Sequence, residues 1–292
     1  AEYGSHVAIV TGFYVPHGDP PAAETDGPPG AVLLAYALRS AGIDVTIVTD
    51  EHCAPAVAAA ADAIELPPDS VSVTPARASD LSGKFFESGP GAAASHLVAV
   101  ERVGPSHTPE SIRRQDRGEA ALARFLAQVP PEAHDRCHNM RGEIIDGYTG
   151  ELHRLFEEAA RLRPDVKTIG IGDGGNEIGM GSIPWEDLVR RLDGDCATRI
   201  PCRTPADWTI VAGTSNWGAC ALAAAVALLM GCPEVLRDCD ARRHRHVLEK
   251  MIADGPAVDG VTGQRRATVD GLPFLTYIQP WEGIRRRLGF SP

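Results

Sequence analysis

The chain has 292 residues, of which 43% are hydrophobic and 23% are charged, a composition typical of globular proteins. Its formal net charge of −11 argues against a nucleic-acid-binding protein, because affinity for phosphate groups requires a basic surface. The seven cysteines form no CxxC pair, which excludes zinc sites of the usual spacing and favours reduced thiols in a cytoplasmic protein.

No signal peptide is recognised at the start of the sequence. The apolar run over 219–230 is shorter than the about 20 residues that cross a bilayer, so it predicts a buried helix. We therefore expect a cytoplasmic protein without a membrane partner. A homo-oligomer is as compatible with the sequence as a monomer.

Short β-branched runs alternate with helical patterns along the chain. This alternation predicts an α/β fold, namely a doubly wound, mostly parallel sheet with helices on both faces. We expect one catalytic domain over 1–292, with a helical insertion at 104–147 that could close over a site as a lid. The predicted strands cover 7–13, 44–50, 95–102, 167–172 and 207–213. The predicted helices cover 28–40, 53–64, 118–128, 148–162, 216–230 and 243–252.

The loop after the first strand carries three polar residues, Glu24, Thr25 and Asp26, directly before a predicted helix. Such residues can accept hydrogen bonds from the backbone at the start of a helix, which would make them caps. They could equally belong to a substrate or metal site, since ligands of open α/β sheets bind at the carboxyl ends of the strands. Both interpretations stay open.

Two arginines follow in polar surroundings. Arg102 ends the third predicted strand, next to Glu101, and Arg141 lies in the insertion within Asn139-Met-Arg-Gly142. Because a guanidinium binds a carboxylate through two parallel hydrogen bonds, both are candidates for binding an acidic substrate. For Arg102 a simple salt bridge is the alternative.

The most informative segment is the glycine-rich turn 170–181, Gly-Ile-Gly-Asp-Gly-Gly-Asn-Glu-Ile-Gly-Met-Gly. It contains Asp173, Asn176 and Glu177 at the carboxyl end of a predicted strand, where glycine allows the backbone to approach a ligand closely. Two close carboxyl groups shift each other's pKa, so that one of them can keep a proton near neutral pH. We therefore predict that these three residues are catalytic.

The same turn matches the letters of the dinucleotide fingerprint G-x-G-x-x-G. However, its first two glycines lie in the predicted strand, and no acid ends the following strand about 20 residues further on. We therefore expect no nucleotide cofactor.

The last predicted strand runs into Thr214-Ser215-Asn216-Trp217, before a helix. Thr214 or Ser215 suits the cap of that helix. Backbone N–H groups at the start of a helix also bind anions, and Asn216 and Trp217 would lie near the same edge of the sheet as Asp173. The segment is thus a candidate part of the site.

Taken together, these segments strongly resemble the D-glutamate cyclase family, whose members occur in bacteria and as the C-terminal catalytic domain of a larger mitochondrial protein. They follow the family's order and span nearly the whole chain. The resemblance implies conversion of D-glutamate into 5-oxo-D-proline with loss of water, and a divalent cation, Mn²⁺ or Mg²⁺. The stretch 106–138 departs from the family pattern, which leaves the exact substrate open. The matching segments are 11–13, 24–30, 101–102, 139–142, 170–181 and 215–218.

Lactam formation needs a base for the amine, an acid for the leaving hydroxyl group and a donor for the oxyanion. Asp173 and Glu177 are the acid–base candidates, with Asn176 and the turn at 215–216 as donors. Alternatively, Asp26, Asp173 and Glu177 could hold Mn²⁺ or Mg²⁺. The substrate-binding candidates are Thr11, Glu24, Thr25, Arg102, Asn139, Arg141, Gly174, Gly175, Ser215, Asn216 and Trp217.

Two other functions remain open. The protein could be a related cyclase or hydrolase that acts on a modified glutamate-like amino acid. It could also be a non-catalytic binding protein for an acidic amino acid. Under each hypothesis the partner is a small acidic amino acid.

Overall fold

The computed structural model describes residues 4–290. Its strands are β1 His6–Thr11, β2 Tyr14–Val15, β3 Ala22–Ala23, β4 Asp44–Asp50, β5 Val71–Thr74, β6 His96–Val100, β7 Lys167–Gly172, β8 Trp208–Val211, β9 Thr268–Val269 and β10 Leu272–Pro273. Its α-helices are α1 Pro28–Ser40, α2 Ala54–Ala63, α3 Leu81–Glu87, α4 Pro109–Arg114, α5 Glu119–Gln128, α6 His153–Leu162, α7 Trp185–Val189, α8 Ser215–Leu229, α9 Ala241–Ala253, α10 Phe274–Tyr277 and α11 Gln279–Arg287. Short 3-10 helices are Pro68–Ser70, Pro131–Ala133, Asp146–Tyr148 and Pro233–Leu236.

The central sheet has six strands in the order β5-β4-β1-β6-β7-β8, all parallel. The chain starts in the middle with β1, builds one half of the sheet and then crosses to β6 to build the other half. The loops after β1 and β6 therefore diverge and leave a crevice, which is where open α/β sheets bind ligands. Dinucleotide-binding folds share this strand order, but a fold alone does not determine the ligand.

Helices cover both faces of the sheet, which confirms the predicted doubly wound α/β fold. Successive side chains of a strand point to opposite faces. Accordingly, Ile9 lies in the core with α1, α2 and α8, whereas Ala8 and Val10 lie in the core with α3 and α6. Strands buried on both faces are apolar throughout, which explains why β1 and β6 read as continuous hydrophobic runs.

Helices α1 and α8 approach each other closely beneath the crevice. Gly30 makes this contact, since a Cβ atom at this position would lie 2.8 Å from the Cα of Asn216. The side-chain oxygen of Asn216 accepts hydrogen bonds of 3.1 and 2.7 Å from the backbone N–H groups of Gly27 and Gly30. The starts of the two helices are thereby locked together beside the site.

The segment 104–147 contains two α-helices, α4 and α5, with a small core of their own. Ile112, Leu122 and Phe125 pack there against Trp185 of α7. The predicted helix over 118–128 is confirmed as α5, whereas α4 was not predicted. Thr108 caps α4 by accepting a hydrogen bond of 3.2 Å from the backbone N–H of Ser111. This helix is too short to show a clear periodicity in the sequence.

The other predicted strands and helices are also confirmed, with shifted ends. The helix expected from residue 148 begins at His153, because Gly150 donates its backbone N–H to the carboxylate of Asp50 over 2.7 Å and leaves the helical path. Neither β5 nor α3 was predicted, since both are short and partly exposed. No helix in the described part of the chain has the length and apolar character that crossing a membrane requires.

Candidate active site

A cavity of about 340 Å³ opens at the carboxyl end of the sheet, a size that suits a small metabolite. Three larger cavities, of about 650, 610 and 380 Å³, lie elsewhere, and the five acids that line the second of them are all paired with arginines. We therefore assign the candidate site to the smaller cavity. Its lining residues are Phe13, Tyr14, Val15, His17, Glu24, Glu101, Asn139, Met140, Arg141, Asp173, Asn176, Gly260, Val261 and Asp270.

Six carboxyl groups gather in and beneath this cavity. Oxygens of Asp26, Asp173 and Asp270 all lie within 4.8 Å of one another, and the same holds for Glu101, Asp173 and Glu177. Asp173 belongs to both groups, and Glu24 completes the cluster. None of the six forms a salt bridge with a basic side chain of residues 4–290. The predicted metal set Asp26, Asp173 and Glu177 is thus divided between two groups.

Burial and mutual repulsion raise the pKa of several of these groups. Burial, followed by the charges of Glu177 and Asp26, raises the pKa of Asp173 to about 11. Burial and then Asp26 raise the pKa of Asp270 to about 8. Burial and then Asp270 raise the pKa of Glu24 well above its usual range. The cluster can therefore hold protons at neutral pH, or lose them to solvent when a cation takes their place.

The start of α8 supports two of the acids. Asp26 accepts hydrogen bonds of 2.8 and 2.9 Å from the backbone N–H groups of Ser215 and Asn216, where the helix dipole favours negative charge. Burial raises the pKa of Asp26 to about 6, and these N–H groups oppose a larger rise. Glu101 accepts a bond of 2.6 Å from the hydroxyl group of Ser215, while burial and then Asp173 raise its pKa well above the usual range.

The glycine-rich turn folds back against its own strand. A Cβ atom at Gly170 would lie 2.4 Å from the Cα of Gly179, so side chains are excluded there. The carboxylate of Glu177 closes the turn by accepting bonds of 2.7 Å from the N–H groups of Gly174 and Gly175, and one of 3.2 Å from that of Asp173. Gly174 and Gly175 therefore hold Glu177, and their placement does not support the predicted contact with substrate.

Asn176 lies inside the cavity in an orientation that differs from the predicted one. Its side-chain NH₂ group donates a hydrogen bond of 2.8 Å to the backbone carbonyl of His138. Its side-chain oxygen is buried and has no hydrogen-bond partner in residues 4–290. Asn176 therefore offers an acceptor to the cavity, whereas the oxyanion role expected from the sequence requires a donor.

Arg102 lies outside the cavity and is completely buried. Its guanidinium donates to the carboxylate of Asp50 over 2.5 Å, to the carbonyl of Gly12 over 2.7 Å, and to Thr149 and Gly150 over 2.8 Å each. Arg102 therefore forms a structural salt bridge, which was the alternative prediction for this residue. Its predicted binding to substrate has no support in the structure.

Four further substrate-binding candidates have internal partners. The hydroxyl groups of Thr11 and Thr25 donate to backbone carbonyls over 2.8 and 2.7 Å. The side-chain NH₂ group of Asn216 donates to Thr25 over 3.1 Å, and the indole N–H of Trp217 donates to Tyr277 over 2.8 Å. Neither these four residues nor Ser215 lines the cavity. Ser215 and Asn216 instead hold Asp26 and Glu101 through hydrogen bonds. Thr214 is the cap of α8, as one of the two sequence interpretations proposed.

The insertion supplies the mouth of the cavity. Asn139 lines it, but its side chain holds the turn 139–142 together through bonds to Glu143 and to the backbone of Arg141. Arg141 is exposed beside the cavity. His17 lies near Arg141, and burial followed by that positive charge lowers its pKa.

Nine of the fourteen lining residues were not among the predicted site residues, and three of these carry an acid or an imidazole: His17, Glu101 and Asp270. In the sequence Glu101 stands out as the neighbour of Arg102 and as part of the matching segment 101–102, neither of which predicts a role for its side chain. Asp270 precedes Gly271 in the turn between β9 and β10, and Asp-Gly is the ordinary signature of such a turn. No local pattern distinguishes a turn residue from one that the fold carries into a site.

Comparison with known proteins agrees with the resemblance seen in the sequence. Residues 1–119 and 125–280 match the family described as D-glutamate cyclase-like, C-terminal. The segment 106–138, which was expected to depart from the family, therefore lies within the match except for 120–124. Human mitochondrial D-glutamate cyclase is 31% identical over 235 residues, which cover 77% of this chain and 33% of that protein. The chain thus spans about a third of the length of this relative.

Proposed function

Because the chain belongs to the D-glutamate cyclase-like family, we propose that it is an enzyme that closes D-glutamate into 5-oxo-D-proline and releases water. The observation that carries this proposal is the acid cluster, which combines raised pKa values with direct access to a cavity of metabolite size. The name of the human relative supports the choice of substrate.

The proton balance of the reaction fits such a cluster. The ammonium group attacks the side-chain carboxyl carbon only after losing a proton, and the amide nitrogen keeps one hydrogen of the original three. The other two hydrogens leave with one carboxylate oxygen as water. The reaction therefore consumes no proton but moves two from nitrogen to oxygen, a task for neighbouring carboxyl groups with different pKa values.

Asp173 and Asp270 suit the two halves of this transfer. Asp173, with a pKa near 11, keeps its proton and is placed to donate it to the leaving oxygen. Asp270, with a pKa near 8, is the better acceptor for the ammonium proton. The two groups lie in one set of mutually close oxygens, so a proton taken up by Asp270 can pass to Asp173. The pair can in this way carry both protons from nitrogen to oxygen, one after the other.

Other residues would bind and orient the amino acid. The unpartnered oxygens of Asn176 and Glu24 are buried acceptors that suit an ammonium group. Arg141, at the mouth of the cavity, suits the α-carboxylate. Such anchoring at both ends bends the substrate towards ring closure, an effect that can lower the barrier by up to about 7–11 kcal/mol.

The donor set also fits a hard divalent cation such as Mn²⁺ or Mg²⁺. All candidate ligands are carboxylate oxygens, and a cation would remove the repulsion that raises their pKa values. When bound, such an ion would polarise the carboxylate under attack. Asp26, Asp173 and Glu177 stay in the proposed set, and Glu101 and Asp270 join it.

A non-catalytic binding protein for an acidic amino acid is a weaker hypothesis. Six acidic side chains around an anionic ligand would repel it, and binding alone does not require them.

The test is incubation of the purified protein with D-glutamate and, separately, L-glutamate, with and without Mn²⁺, followed by mass spectrometry. We expect loss of one water from D-glutamate, with the product matching authentic 5-oxo-D-proline. Binding of D-glutamate in calorimetry without this product under any condition would contradict the proposal. Asp173→Asn serves as the inactive control.

A further inference from the structure

We propose that the acid cluster is a two-cation centre in which Asp173 is shared by two divalent ions. This inference rests on the proposed lactam formation but replaces its proton donor. With ions bound, Asp173 would be a ligand without a proton, and the ions would polarise the carboxylate under attack. The inference goes beyond the single ion that the sequence suggests, and it follows from how the acids are divided.

The geometry separates the acids into two sets. One set consists of Asp26, Asp173 and Asp270, and the other consists of Glu101, Asp173 and Glu177, each with oxygens within 4.8 Å of one another. The two sets share Asp173 but do not merge into one set of five. A single ion could therefore use one set and would leave the other without a counter-charge.

The members of each set come from distant parts of the chain. Asp26 precedes α1 and Asp270 lies in the turn between β9 and β10. Glu101 follows β6, and Glu177 closes the turn after β7, where Asp173 also lies. The two sets thus draw on different loops and have Asp173 in common, as expected for a carboxylate shared by two ions.

The charges favour two ions over one. The six acids, when ionised, carry six negative charges in a region where residues 4–290 supply no salt-bridge partner for them. One divalent ion would leave four charges uncompensated, whereas two ions would leave two. Uncompensated charge in a buried site is costly, so the second ion has a clear electrostatic advantage.

Two unpartnered oxygens point independently to a ligand. The Oε1 atom of Glu24 and the Oδ1 atom of Asn176 are buried and make no hydrogen bond with residues 4–290. Their residues are only 7% and 1% exposed, yet both line the cavity. Buried oxygens normally have partners, so these two indicate a cation or a donor between the acids and the mouth.

The test is a count of bound metal. The protein is treated with chelator, dialysed to equilibrium against Mn²⁺ alone, and analysed for manganese per chain by mass spectrometry. We expect two Mn²⁺ per chain and an electron paramagnetic resonance spectrum of a magnetically coupled pair. Asp270→Asn and Glu101→Gln should each bind one Mn²⁺ with an uncoupled spectrum, and Glu143→Gln, at the mouth but outside both sets, should still bind two.

One Mn²⁺ per chain in the unaltered protein, with an uncoupled spectrum at every loading, would overturn the two-cation centre. If such a protein still forms 5-oxoproline, the proposed function survives this failure. Two coupled ions in a protein that forms no lactam would instead support the centre and refute the proposed reaction. Because the decisive measurement uses the unaltered protein, it does not depend on the folding of any variant.

Discussion

Asn176 donates a hydrogen bond of 2.8 Å from its side-chain NH₂ group to the backbone carbonyl of His138. This bond joins the glycine-rich turn to the insertion that forms the mouth of the cavity. It also determines which atom of Asn176 is free to bind a ligand, since the NH₂ group is occupied and the oxygen is not.

Replacement of this residue tests both consequences. For Asn176→Ala we expect kcat/KM for D-glutamate to fall by about 10- to 150-fold, because a hydrogen bond to a charged ammonium contributes about 1.5–3 kcal/mol. Steady-state kinetics measure the loss. Gln115→Ala is the matched control, since Gln115 also donates its side-chain NH₂ group across to a backbone carbonyl, that of Ile183, but lies outside the cavity. An equal loss in both variants would refute a direct role for Asn176.

Asp173 is expected to be indispensable to the reaction. Asp173→Asn removes the proton donor, and general acid catalysis is worth about 10²–10⁴ in rate. We expect kcat to fall by that factor while the circular dichroism spectrum stays unchanged. Full activity of this variant would exclude Asp173 as the acid and, with it, the proton transfer proposed here.

The two predicted arginines should behave differently when replaced. Arg141→Leu should raise KM by about 10- to 150-fold, since the charged contact to the α-carboxylate is worth about 1.5–3 kcal/mol. Its stability should change by less than about 0.5 kcal/mol, because the side chain is exposed. Kinetics and urea unfolding measure the two effects, and Arg113→Leu, an exposed arginine of the same insertion, is the control. A KM equal to that of the control would remove Arg141 from the site.

Arg102, by contrast, should matter for stability. Arg102→Leu leaves the carboxylate of Asp50 buried without its cation, which typically costs about 3–5 kcal/mol in the free energy of unfolding. Asp50→Asn in the same chain should restore part of that loss. Urea unfolding of the single and double variants provides the measurement, and a loss below about 1 kcal/mol would speak against this assignment.

The pH dependence of this ion pair follows from its pKa. Burial tends to raise the pKa of Asp50, but Arg102 and the backbone N–H of Gly150 outweigh burial, so the pKa is lowered. The contribution of the pair is therefore present at neutral pH. This contribution is lost as the pH falls below the pKa of an unfolded aspartate, about 3.9, and then through the lower pKa that Asp50 has in the folded protein.

The acid cluster should have the opposite pH dependence. In the folded protein the pKa of Asp173 is about 11 and that of Asp270 about 8, and both lie above the pKa of an unfolded aspartate, about 3.9. From about pH 4 to 8 the folded protein thus binds more protons, and its free energy of unfolding falls as the pH rises. The slope is about 1.4 kcal/mol per pH unit for each extra proton.

A bound cation should counteract this fall in the free energy of unfolding, because it takes the place of the protons on the acid cluster. We expect Mn²⁺ to raise the melting temperature more at pH 8 than at pH 6, relative to samples in EDTA. The Mn²⁺ effect should shrink in Asp270→Asn. A melting temperature in EDTA that does not fall between pH 5 and 8 would contradict the raised pKa values.

Much of the fold could be predicted from local patterns. The alternation of apolar runs with helical segments is enough to predict a doubly wound sheet, because strands covered on both faces must be apolar. The same patterns locate Asp173, Asn176 and Glu177 at the carboxyl end of β7. They do not reveal β5, in which no side chain is fully buried, or α3, whose seven residues are too few for a clear periodicity.

The roles of individual side chains required the tertiary structure. Arg102 and Arg141 look alike in the sequence. In the structure Arg102 forms a salt bridge with Asp50, which is distant along the chain, whereas Arg141 lies at the cavity. Asp270 and Glu101 reach the cluster because the strand order brings chain-distant loops to one crevice. Local sequence determines periodicity and turn chemistry, and hence the elements of this protein. Which polar groups face one another depends on long-range packing, so the structure alone decided which acids meet at Asp173.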